Sequence, residues 1–256
     1  MKPFILLIGL FGLLIVNVNA QLTCEKFFNV SLCNDCQQEV WNSEHGSSTC
    51  TFFTKIYGEI QYDPYAFDYN LTSYDQAVKN ICSIDFSCTY EEDKQIWERI
   101  EEKCATELTT YVDWSANPLS LESTIVEPYA AVLLFFFTVP EYSSLCHKTS
   151  SGELCGIESI RPLVDWLKQE IPEGKINFSY DFLFVYKEDG TRIEIPVEFR
   201  SSCGECGKNM MKVYKNWMDQ HAVPDLIVNN MFGGSLKRVQ DYFSCPILIS
   251  NSLNIS

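Results

Sequence analysis

Twelve cysteines lie between Cys24 and Cys245 in a chain of 256 residues, and they constrain its fold more than any other feature. An even and high number of cysteines marks an oxidising compartment, where thiols pair and staple the chain. The residues ahead of them point the same way. Lys2 precedes an apolar run from Phe4 to Val16, and Val18 and Ala20 place small or medium side chains before a cleavage site at Gln21. The run is shorter than the roughly 20 residues that cross a bilayer. Residues 1–20 therefore read as a signal peptide and not as an anchor. Cys24, Cys33, Cys36, Cys50, Cys82, Cys88, Cys104, Cys146, Cys155, Cys203, Cys206 and Cys245 are all expected as half-cystines. Connectivity does not follow from spacing. One local pair, Cys146–Cys155, is expected because the Ser/Gly-rich stretch between them can fold back as a hairpin.

Secretion makes the sequons meaningful. Asn29-Val30-Ser31, Asn70-Leu71-Thr72 and Asn177-Phe178-Ser179 mark Asn29, Asn70 and Asn177 as expected N-glycan acceptors. Asn254-Ile255-Ser256 ends the chain, where transfer is poor, and Asn117 precedes Pro118 and is excluded. Tyr129 to Val139 is apolar but short and runs into Pro140, so it reads as a buried core helix. No lipid-anchor tail or retention signal is read in Pro246 to Ser256. The expectation is a secreted, extracellular protein with no membrane span in the mature chain.

Hydrophobic periodicity predicts mostly helix. Phe27, Phe28, Leu32, Cys36 and Val40 recur at helical steps, as do Phe52, Phe53, Ile56 and Ile60. Thr89-Tyr90-Glu91-Glu92 has capping-box form. Behind it Ile96, Ile100, Cys104 and Leu108 share one face, with Glu91, Glu92, Glu98, Glu101 and Glu102 elsewhere on a solvated side. Further helices are expected over about 124–138, over 161–170 with Leu163, Trp166 and Leu167 inward, from a second capping box at Ser202 and Glu205 to about Gln220, and over 236–243. The period changes between about 175 and 200. Ile176 to Tyr186 and Ile193 to Phe199 alternate around Lys187-Glu188-Asp189-Gly190, which predicts a β-hairpin. The expected fold is mainly α with one hairpin, an α+β class framed by disulfides. A cysteine-rich helical part, 21–115, and a hairpin-bearing part, 116–256, are divided softly near 110–120.

The chemistry is sparse. Nineteen Lys+Arg against 34 Asp+Glu give a net charge of −15, which argues against nucleic acid. Only His45, His147 and His221 are present. No zinc-protease or serine-hydrolase motif occurs, and the two Cys-x-x-Cys pairs, at Cys33 and Cys203, are too far apart to suggest zinc. No catalytic residue, metal or cofactor is expected. Cys203-Gly204-Glu205-Cys206 opens a helix, as a thiol-oxidoreductase site does. The other ten cysteines make structural half-cystines the favoured reading. Aromatic residues are 14% of the chain, with Phe52-Phe53 and Phe135-Phe136-Phe137 on helices. They read mainly as core, with a lipid-lined cavity as the alternative.

Tyr129, Leu133-Leu134, Leu145-Cys146, Lys148, Ser151-Gly152, Cys155 and Cys203-x-x-Cys206, following Cys82, Cys88 and Cys104, form a recognisable arrangement. Over about residues 24–220 the chain resembles a family of secreted, cysteine-rich fungal glycoproteins of unknown function. The resemblance implies an extracellular glycoprotein and supplies no catalytic residues. Many such proteins carry a surface-anchor tail. None is read in this chain, so a freely secreted form is expected. The functional expectation is a non-enzymatic binding or structural role toward an unidentified extracellular partner. A carrier of lipids or small apolar ligands is one alternative, and thiol redox chemistry at Cys203 and Cys206 is another.

Overall fold

A helix that is apolar all round must be buried on all sides, and residues 123–145 form one. A computed structural model describes residues 23–46, 48, 50–51, 71–172, 176–179, 183–196, 199 and 204–231. Among them, eight α-helices and one three-stranded antiparallel sheet make an α+β fold held by five disulfides. The helices are α1 (Cys24–Phe28), α2 (Asp35–His45), α3 (Leu71–Ile81), α4 (Tyr90–Lys103), α5 (Ser123–Leu145), α6 (Cys155–Glu158), α7 (Arg161–Glu170) and α8 (Glu205–Gln220). Residues 1–20, expected as a signal peptide, residues 52–60 and 236–243 of two further expected helices, Asn70, Cys203 and Cys245 lie outside the described residues.

Every residue of α5 from Val126 to Thr138 is buried. Length and composition would let this helix cross a membrane, yet 78% of its apolar stretch is buried inside the protein. It lies against α2, α4 and α8. The helix was expected to stop near Thr138 and instead continues through Pro140 to Leu145. Proline lacks the N–H that would bond the carbonyl of Phe136. The indole Nε1 of Trp217, on α8, donates to that carbonyl at 2.9 Å.

Local chemistry sets the helix starts. The box at Thr89 is present: its hydroxyl accepts from the N–H of Glu92, and the Glu92 carboxylate accepts from the N–H of Thr89. Asn34 and Gln37 make an equivalent box on α2. Ile96, Trp97 and Ile100 turn into the core from α4, each contributing about 1.5–3 kcal/mol of burial. The Phe27-to-Val40 stripe is not one helix. Asn29 ends α1 in the left-handed conformation, at φ 53°, and Leu32 is 78% exposed. α8 begins at Glu205 itself, after Gly204, and Ser202 of the second expected box lies outside the described residues.

The expected hairpin is two-thirds of a meander. β1 (Ile176–Phe178), β2 (Phe184–Lys187) and β3 (Arg192–Glu194) pair in order, with Asn177 opposite Tyr186 and Val185 opposite Ile193. The first alternating run breaks at Ser179. Its N–H donates to the carbonyl of Phe184, and its hydroxyl accepts from the Phe184 N–H at 3.1 Å, joining the end of β1 to the start of β2. Between β2 and β3, Gly190 takes φ 83°, a conformation that costs a residue without Cβ little.

Candidate functional site

The cysteines pair as Cys24–Cys33, Cys36–Cys104, Cys50–Cys88, Cys82–Cys146 and Cys155–Cys206. No described cysteine is free. The local pair Cys146–Cys155 is therefore corrected. The hairpin expected between them does form: Lys148 bridges Leu154, the N–H of Thr149 donates to Glu153, and Gly152 has φ 86°. Its two feet are joined to different elements. Cys146, which caps α5, bonds Cys82, just past the end of α3, whereas Cys155 bonds Cys206 in the first turn of α8. A short loop makes a local bridge easy to draw. The Cβ directions at its ends decide whether one forms, and spacing does not encode them.

Glu205 adds a third tie. Its carboxylate accepts from the N–H of Ser150 at 2.9 Å and from the Ser150 hydroxyl at 2.9 Å. These two donors, the backbone one first, hold Glu205 below the usual carboxylate range. Hairpin tip residues Ser150, Ser151 and Gly152 are exposed. The result is a surface loop fixed by covalent bonds at both feet and by the Glu205 carboxylate at Ser150 of its tip.

The same bonds bear on the redox reading. Cys206 is buried and bonded to Cys155, so it does not close a Cys-x-x-Cys pair with Cys203. The sulfurs of Cys50 and Cys88 and the Glu92 carboxylate lie within 4.8 Å of one another. The sulfurs are joined in a disulfide, however, and offer no thiolate to a metal. His45 stacks on Trp41 at 3.6 Å and His221 on Tyr90 at 3.8 Å, and burial lowers the basicity of both. Phe136 and Phe137 meet protein rings, at Trp97, Trp217 and Tyr214.

Of the sequons, Asn29 is exposed on the loop closed by Cys24–Cys33. Asn177 is half-buried in β1, on the face of Tyr186, whose hydroxyl donates to Ser115 at 2.6 Å.

The most perturbed groups are acids absent from the expected site residues. Glu141 is buried on α5, and its carboxylate accepts from the hydroxyl of Tyr214 on α8. Burial raises Glu141 to about 7 despite that bond. Asp93 on α4 is fully buried, and neither of its oxygens has a hydrogen-bond partner. Burial, then Glu92, raises it to about 9. Glu44 on α2 is pushed well up by burial and then by Glu127 on α5. A signal for Asp93 lay in the sequence, since it shares the helical spacing of Ile96, Trp97 and Ile100.

Compared with protein-family models, with curated proteins and with solved structures, the chain matches none.

Proposed function

We propose that this protein works outside the cell as a glycoprotein with a non-enzymatic binding or structural role. Binding would centre on the rigid surface hairpin between Cys146 and Cys155. One observation carries the reading: the hairpin's feet are bonded to two different helical segments while its tip stays exposed. A loop fixed on a scaffold loses little entropy when it meets a partner. The five disulfides suit an oxidising exterior. Exposed Asn29 offers a position for a glycan beside exposed Leu32. A place among secreted cysteine-rich fungal proteins would agree with this reading.

The test is expression of the full chain in a eukaryotic secretory host. The expected product is medium protein that starts at Gln21, takes up no thiol label, and shifts on glycosidase digestion, with part of the shift lost in Asn29→Gln. Labelled product should also adhere to a cell surface and be displaced by unlabelled protein. Replacing Ser150 and Ser151 should weaken that adhesion while leaving the disulfides intact. A protein retained in the cytosol with reactive thiols would contradict the reading, and so would adhesion indifferent to the hairpin.

A further inference from the structure

We propose that buried Glu141, bonded to Tyr214, is a proton-dependent clasp that firms the junction of α5 and α8 when protonated and loosens it when ionised. The two groups come from separate segments, Glu141 from α5 and Tyr214 from α8. Glu141 and Tyr214 are both buried, and the Tyr214 hydroxyl donates to Glu141 Oε2. Burial, then the Glu141 charge, raises both Tyr74 and Tyr214, so both phenols stay neutral at neutral pH.

Among the described residues, no Lys or Arg forms an ion pair with Glu141. The described Lys and Arg ion pairs join Lys79 to Asp75, Lys94 to Glu98, Arg99 to Glu39, Arg161 to Glu153 and Lys215 to Asp219. Elements packed on α5 bring other titratable groups inward, with Glu44 and His45 on α2, Asp93 on α4 and Glu158 on α6. The groups whose charge couples to Glu141 are the two phenols. Ionising such a carboxyl places a charge in a poorly solvating interior with one hydrogen bond to offset it. Cys82–Cys146 ties the end of α5 to the end of α3, and Cys155–Cys206 ties the start of α8 to α6, so the loosening is local and the chain stays together.

The folded state keeps a proton that the unfolded chain releases near pH 4.5. The clasp's contribution is full below that pH and is lost as pH rises through about 7. The experiment is urea unfolding of the oxidised full chain at pH 5 and pH 8, for wild type, Glu141→Gln and Tyr214→Phe. The wild-type unfolding constant should rise between the two pH values by on the order of tenfold to a hundredfold more than that of Glu141→Gln, which stays neutral throughout. In Tyr214→Phe the anion loses its donor, so the transition should move to higher pH. Equal pH dependence in wild type and Glu141→Gln would overturn the proposal. Should Glu141→Gln fail to fold, the protonated-carboxyl infrared band of glutamate-labelled wild type and Tyr214→Phe decides. Loss of a buried glutamic-acid band near neutral pH, shifted upward in Tyr214→Phe, supports the clasp, and no such band at pH 5 refutes it.

Discussion

The indole N–H of Trp217 reaches the carbonyl of Phe136 at 2.9 Å, and Pro140, four residues further along α5, has no N–H to offer that carbonyl. A proline inside a buried helix would ordinarily leave an unsatisfied acceptor. Here a side chain from α8 supplies the donor, and the same ring sits against Phe136 and Tyr90. Trp217→Phe keeps an aromatic ring but removes the donor together with part of the ring's packing. It should lower stability by about 1–3 kcal/mol, read as a fall in the urea midpoint. An unchanged midpoint would mean that the carbonyl finds another partner.

The disulfides differ in the length of chain they close. Cys36–Cys104 spans a separation of 68 residues and Cys24–Cys33 a separation of 9. By loop-closure entropy the first should contribute about 4 kcal/mol and the second about 2.5 kcal/mol. Paired alanine substitutions, compared by urea unfolding, should show the larger loss at Cys36 and Cys104. The reverse order would place the shorter bridge's contribution in the native contacts of α1.

Asp93 gives a second, separate pH dependence. Burial, then Glu92, raises it to about 9, so the folded protein holds a proton that the unfolded chain gives up near pH 4. Its stabilisation is full below that pH and fades as pH rises through about 9. Asp93→Asn should be more stable than wild type at pH 8 by on the order of a few kcal/mol, and nearly equal to it at pH 4. The measurement is the difference in unfolding midpoint at the two pH values. A constant difference would show that Asp93 does not titrate in the folded chain.

Local signals carried the helices well. The Thr89 box, the Ile96–Ile100 spacing and the Leu163, Trp166 and Leu167 face all depend on near neighbours, and all are present. The misreadings came where distant residues decide. Pro140 looked like a stop because its compensating donor is on Trp217. Ser179 looked like one more strand position because its hydroxyl partner, the Phe184 N–H, is supplied by β2. Cys146 and Cys155 looked like partners because proximity in sequence hides the direction of each side chain. The buried acids were harder still. Glu141 follows Pro140 and reads as the polar end of an apolar run, until Tyr214 arrives from the far end of the chain.

The central claim is the disulfide framework around the 146–155 hairpin. Peptide mass spectrometry of the non-reduced, secreted protein measures it directly. The structure predicts cross-linked peptides for Cys24–Cys33, Cys36–Cys104, Cys50–Cys88, Cys82–Cys146 and Cys155–Cys206. A Cys146–Cys155 or Cys203–Cys206 bridge would contradict it, and with it the rigid, doubly anchored hairpin on which the proposed binding role rests.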